Sequence, residues 1–276
     1  MSMVVNTNVL SLVAQTNMTN NTSRLSNAVE QLSSGLRINS AKDDPAGLAI
    51  GNRMQAQVNG MNQAVSNANA AIAQAQTGDG ALGSISNMLQ QMRTLAVEAA
   101  NGTNGTGDLS NLNAEYQALG SEITREIGNT QFNGNNILAN SAAIVYQVGA
   151  NSTDQISVAG INLTTDATIT AVTGGSLSTA TAAATAISNI DAALTDVNQN
   201  RANFGASEIR FQQVVSTLQI NSQNTAAAQS QIMDTDYAQA TSALTQAQIV
   251  QQAGTAMLSQ ANSIPQNVLS LLSKLP

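Results

Sequence analysis

The residues of this chain that could do chemistry are carboxylates. Asp43 and Asp44 are adjacent, and neighbouring carboxylates can share a proton or hold a hard cation. Beside Pro45 the simpler reading is stronger: Asp44 serves as a helix N-cap and Pro45 as the first helical residue. Asp234-Thr235-Asp236 opens like a calcium loop, but the loop glycine and the closing bidentate glutamate are absent at the required spacing. Gly102, Gly105 and Gly107 fit no phosphate-binding fingerprint and read as a turn. The chain has no His and no Cys, which removes imidazole bases, thiolate nucleophiles and the His pair of a zinc protease. Neither an enzyme nor a cofactor is expected.

The elements that would position such residues tell more. Of the 276 residues, 42% are hydrophobic but only 2% aromatic. That mixture of Ala, Val, Ile, Leu and Met suits helix seams better than a thick globular core. Charged residues make up 9%, so the polar faces are mostly neutral and many copies could pack without strong repulsion. A net charge of −7, with Lys42 and Lys274 as the only lysines, argues against nucleic acid as a partner. No window approaches the length of an apolar membrane span, so no membrane insertion is expected. The first residues carry neither a basic region nor a long apolar run, so no cleaved secretory signal is expected.

Near the end of the chain, Ala243, Ala247, Val250, Gly254, Met257, Ala261, Ile264, Val268, Leu271 and Leu275 recur at alternating steps of four and three. This spacing predicts one seam of a long helix, as in a coiled coil. Val5, Val9 and Leu12 begin a similar stripe, which Leu25, Val29, Leu32 and Leu36 resume. The two terminal stripes are expected to bury each other in part and to await further partners. After a break at Gly35 and Asn39-Ser40, a second seam runs through Met54, Val58, Met61, Val65, Ala68, Ile72 and Ala75 and continues from Leu82 to Ala99. It carries an expected slip at Gly78-Asp79-Gly80, read as a flexible place. A returning helix holds Leu109, Leu112, Tyr116, Leu119 and Ile123.

Asn133-Gly134 is a hairpin signal. Strands are expected at 144–148, 155–163 and 168–172, followed by a Ser/Thr/Ala tract at 176–186. From Ile187 to Ile232 a helical register returns, thinning toward residue 230, and Asp234 is the expected cap of the last helix.

Several longer motifs resemble those of bacterial flagellins. They are Val5-Asn-Thr-Asn8, Leu32-Ser-Ser-Gly-Leu-Arg-Ile-Asn39, Ala41-Lys-Asp-Asp-Pro-Ala-Gly-Leu-Ala-Ile50 and Thr130-Gln-Phe-Asn-Gly134. Toward the other end come Asp236-Tyr-Ala238, Gln251-Gln-Ala-Gly254 and Pro265-Gln-Asn-Val-Leu-Ser-Leu-Leu272.

The resemblance implies a mainly α fold: a long coiled-coil and helical-bundle rod formed by the N- and C-terminal segments, with a small β-hairpin region mid-chain. The expected division is an inner coiled-coil segment 1–42 pairing with 234–276, rod segments 43–140 and 187–233, and a short variable β-rich insert 141–186.

The function so implied is a structural subunit that leaves the cell through the flagellar channel and assembles into the extracellular filament that drives motility. A hook–filament junction protein is the alternative. Implied partners are other flagellin copies in a helical homopolymer, the cap and hook-associated proteins, an export chaperone at the C-terminal segment, and a Toll-like innate receptor. For that receptor the matching residues are Gln90, Leu95 and Glu115, while Gln91 stands where the family often has Arg.

Overall fold

The structure is a computed structural model and describes residues 7–272, with side chains as far as Ile264. Its elements are α1 (Val9–Ser34), α2 (Pro45–Ala99), α3 (Thr106–Asn129), β1 (Gln131–Phe132), β2 (Asn135–Asn136), β3 (Ala139–Asn140), β4 (Ile144–Gln147), β5 (Gln155–Val158), β6 (Ile161–Asn162), α4 (Ala167–Thr173), α5 (Ala180–Met233) and α6 (Tyr237–Leu272). The chain is mainly α, with short strands confined to its middle. It divides into two compact units, one from residues up to Gln55 together with those from Thr225, the other Ala56–Asn224.

In the first unit α1 packs along α6. Ser11, Asn21 and Ala28 of α1 are buried, with Ala14, Met18 and Leu25 half-buried between them. Ala240, Ala247 and Ala261 answer from α6, with Leu244, Gly254 and Leu258 between. Gly35 ends α1 in the left-handed region (φ 73°), and its N–H donates to the Gln31 carbonyl, the geometry for which glycine is suited. The chain then forms a short antiparallel bridge, Leu36 opposite Asp234. There the Arg37 N–H donates to the Met233 carbonyl at 2.7 Å and the Thr235 N–H to the Gly35 carbonyl at 2.9 Å.

Asp44 caps α2, its Oδ1 accepting from the Ala46 and Gly47 N–H groups. The expected cap of α6 falls two residues early. Asp236, not Asp234, accepts from the Ala238 and Gln239 N–H groups, because Asp234 is held in the bridge and accepts from the Ser230 hydroxyl.

In the second unit the buried line of α2 is Met61, Ala64, Ala68, Ala71, Ala75, Gly78, Leu82, Ile85, Leu89, Met92, Ala96 and Ala99. Its steps alternate three and four without a break, so the expected slip at Gly78 does not occur. The expected seam shares Met61, Ala68 and Ala75 with this line, but its Val58, Val65 and Ile72 are half-buried beside it, where Ala64 and Ala71 take the inner places. Gly78 is a place of close packing instead of flexibility: a Cβ there would lie 2.7 Å from the Phe204 ring.

Tyr116, Ile123 and Ile127 of α3 and Ile190, Val197 and Phe204 of α5 complete this core. α5 runs opposite to α2, as the Arg93–Asp191 and Arg201–Asp79 ion pairs at 2.8 and 2.9 Å show.

Asn133 (φ 49°) and Gly134 (φ 79°) form the two-residue turn between β1 and β2, as the Asn-Gly pair predicts. β4 pairs with β5 and β3 with β6, all antiparallel. Tyr146 of β4 meets Phe211 of α5 edge-on, with ring centroids 5.3 Å apart.

The strand expected at 168–172 is a helix, α4. Asp166 caps it by accepting from the Thr168 and Ile169 N–H groups, and Ile169 and Val172, three apart, both enter the core. Capping and a three-residue step outweigh the β-propensity of Thr, Ile and Val. The Ser/Thr/Ala tract is helical from Ala180 on, where α5 begins, with Ala183 and Ala186 buried.

Candidate functional site: the outward face of the terminal helix pair

The predicted seam of α6 divides into two faces. Ala247 and Ala261 are buried toward α1 and Gly254 is half-buried, whereas Ala243, Val250, Met257 and Ile264 are exposed. The line that meets α1 (240, 244, 247, 251, 254, 258, 261) shares only every second member of the predicted stripe. On α1, Val9 and Leu12 are 60% and 59% exposed, while Leu32 and Leu36 are half-buried. The two stripes therefore do not bury each other as complete seams. Val5 lies outside the described residues, as do Leu275 and the side chains of Val268 and Leu271.

Small and polar residues make this division. Within the pair, Asn21 Nδ2 donates to the Ala247 carbonyl at 2.8 Å, and Asn8 Nδ2 to the Ala261 carbonyl at 2.8 Å. A Cβ on Gly254 would lie 2.9 Å from Met18 Cε, so the helices approach closely there. Many of the large apolar side chains are turned outward. Leu10, Val13 and Met18 on one side and Val250, Met257 and Ile264 on the other line an open apolar groove of about 410 Å³. Sequence reasoning passed over Leu10, Val13 and Asn21 and took Asn8 only as part of a motif; Ser, Asn and Ala recurring every three or four residues between larger side chains was the available signal.

The remaining candidates scatter. Gln90 and Gln91 of α2 and Glu115 of α3 are exposed, but Leu95 is 9% exposed and belongs to the core. Asp43 accepts from the Ser40 and Asn39 N–H groups and the Ser40 hydroxyl. The bonds from Ser40 above all hold its carboxyl below the usual range. Both carboxylates thus serve turns and caps. Among the described residues no group of three or more His, Cys, Asp or Glu could hold a metal, and no helix is long and apolar enough to cross a membrane.

The family model of the bacterial flagellin N-terminal helical region matches residues 5–143, and that of the flagellin C-terminal helical region matches residues 187–272. A flagellin of Halalkalibacterium halodurans is 41% identical over 271 residues, which cover 98% of this chain and 100% of the relative. The flagellin of Escherichia coli K12 is 51% identical over 158 residues, 57% of this chain but only 32% of that much longer protein.

Among solved structures, a crystal structure of Bacillus cereus flagellin aligns with TM-score 0.50 and 36% identity, covering 59% of this chain and 94% of that one. A candidate flagellar hook-associated protein of Vibrio parahaemolyticus aligns with TM-score 0.58 over 70% of this chain, at 16% identity, and shares the fold alone. Two matched terminal regions and a relative alike from end to end lead to one conclusion: the chain belongs to the bacterial flagellin family.

Proposed function

We propose that the outward face of the α1–α6 pair is the surface by which this structural filament subunit joins its neighbours. The observation that carries this is a set of large apolar side chains left on the outside of the pair. Ser11, Ala14, Asn21, Ala247 and Ala261 lie between the helices, while Leu10, Val13, Val250 and Met257 face solvent. Contiguous exposed apolar surface of this kind marks an interaction site. Each contact would join different faces of successive copies, and such heterologous, non-closing contacts generate an open helix. The terminal helices then gain full order as the subunit docks.

Passage through the flagellar channel without a cleaved signal, a chaperone on the C-terminal segment before export, and contacts with cap and hook-associated proteins complete the reading. Recognition by a Toll-like innate receptor would use the exposed Gln90, Gln91 and Glu115, with Leu95 fixing the helix that presents them. The hook–filament junction role is not favoured, because the relative alike along its whole length is a flagellin and the hook-associated likeness is one of fold only.

Salt-induced polymerisation of the purified chain, followed by electron microscopy, tests the reading. Deleting 264–276 should abolish filaments while the second unit melts unchanged. Normal filaments from that truncation would overturn it.

A further inference from the structure

The side chain of Asn8 engages both terminal helices at once. Its Oδ1 accepts from the Ser11 N–H at 3.1 Å, capping α1, while its Nδ2 donates to the Ala261 carbonyl of α6 at 2.8 Å. In an α-helix the Ala261 carbonyl would accept from the N–H four residues on. That residue is Pro265, which has no N–H to give, although α6 continues through it to Leu272. A buried carbonyl deprived of its donor is destabilising unless another group supplies one. Asn21 bonds the Ala247 carbonyl in a similar way, but there the residue four places on is Gln251, whose N–H is intact.

We propose that Asn8 sets the register of the terminal pair: one amide closes the first turn of α1 and supplies the donor that Pro265 withholds from α6. Away from the close approach of Gly254 to Met18, the small residues between the helices offer few shape constraints against sliding. A slide of one helical turn would carry Nδ2 about 5 Å from the Ala261 carbonyl. Register also decides which outward side chains of α1 stand beside Val250, Met257 and Ile264. The inference rests on the assembly reading given above.

The test is a double-mutant cycle on the full-length chain: native, Asn8→Ser, Pro265→Ala and the two combined, each measured for critical concentration in seeded polymerisation. Serine keeps the cap acceptor but not the donor that reaches α6. Asn8→Ser should raise the critical concentration about five- to tenfold in the native background. With Pro265→Ala, which restores the helical N–H, it should do so by less than about twofold. Asn21→Ser should act equally in both backgrounds. Equal factors for Asn8→Ser in the two backgrounds would overturn the inference while leaving the assembly reading intact. If the native chain forms no filaments under any seeding, the assembly reading fails. Amide exchange across 258–264 in the soluble chain then decides: acceleration by Asn8→Ser only when Pro265 is present supports the inference, and any other pattern overturns it.

Discussion

The α1–α6 pair and the helical core of the second unit follow the same alternation of threes and fours, yet they fill it oppositely. In the second unit the inward positions hold Leu82, Ile85, Leu89, Met92, Tyr116 and Ile123, all fully buried. In the pair the inward positions hold Ser11, Asn21, Ala28 and Ala247, with Met18, Leu25, Leu244 and Leu258 only half-buried between them and Leu10, Val13, Val250 and Met257 outside. Burying a Leu-sized side chain contributes roughly 1.5–3 kcal/mol, and an alanine methyl far less. Identical helix periodicity thus builds a self-sufficient core in one region and an incomplete one in the other. Which residues occupy the inner positions decides whether a region folds alone or waits for company.

The largest expected effect is Leu89→Ala, which should lower the stability of the second unit by about 2–5 kcal/mol in thermal unfolding. Leu10→Ala should leave that transition unmoved and raise the critical concentration for assembly. If both substitutions shift melting equally, the contrast between the regions fails.

Next comes alkali. Burial pushes the Tyr116 hydroxyl up to about 12, and it donates to the Val172 carbonyl at 3.0 Å. The raised value means that its stabilisation is complete below about pH 10 and is lost as pH rises from about 10 to about 12, a loss of roughly 2–3 kcal/mol. Melting followed against pH should show this decline in the native chain and a shallower one in Tyr116→Phe. The remainder comes from Tyr146, which burial also raises.

Gly254→Phe should be next, overpacking the pair against Met18 by about 1–3 kcal/mol. Filaments should be lost while the second unit melts normally; retained filaments would mean that the helices can separate there freely. Arg93→Ala should do least. The Arg93–Asp191 pair is solvent-exposed, and such pairs contribute little, so a large drop in melting temperature would show that α2 and α5 depend on charge more than on packing.

Much of this architecture was legible because it rests on local rules. Asp44-Pro45, Gly35 and Asn133-Gly134 act through their own backbone geometry and were readable at sight. The faces of the helices were harder. Alanine carries little hydrophobic signal, so Ala64 and Ala71 of the inner line of α2 were hidden beneath their larger neighbours Val65 and Ile72. On α6 the apolar stripe mixed residues that meet α1 with residues that face outward, since both sets share a seven-residue repeat. The helix at 167–173 was masked by β-branched residues, whose preference yields once Asp166 caps the turn and the core accepts Ile169 and Val172. Asn8 was invisible as a contact because its acceptor, the Ala261 carbonyl, lies at the far end of the sequence.

The placement of the three tyrosines makes the molecule its own reporter. With no Trp in the chain, near-ultraviolet absorbance and emission come chiefly from Tyr116 in the core of the second unit, Tyr146 against Phe211, and Tyr237 at the exposed first turn of α6. A quencher added to the soluble chain would reach Tyr237 first and Tyr116 last, so three optical addresses distinguish events at the helix ends from events in the interior without any attached dye.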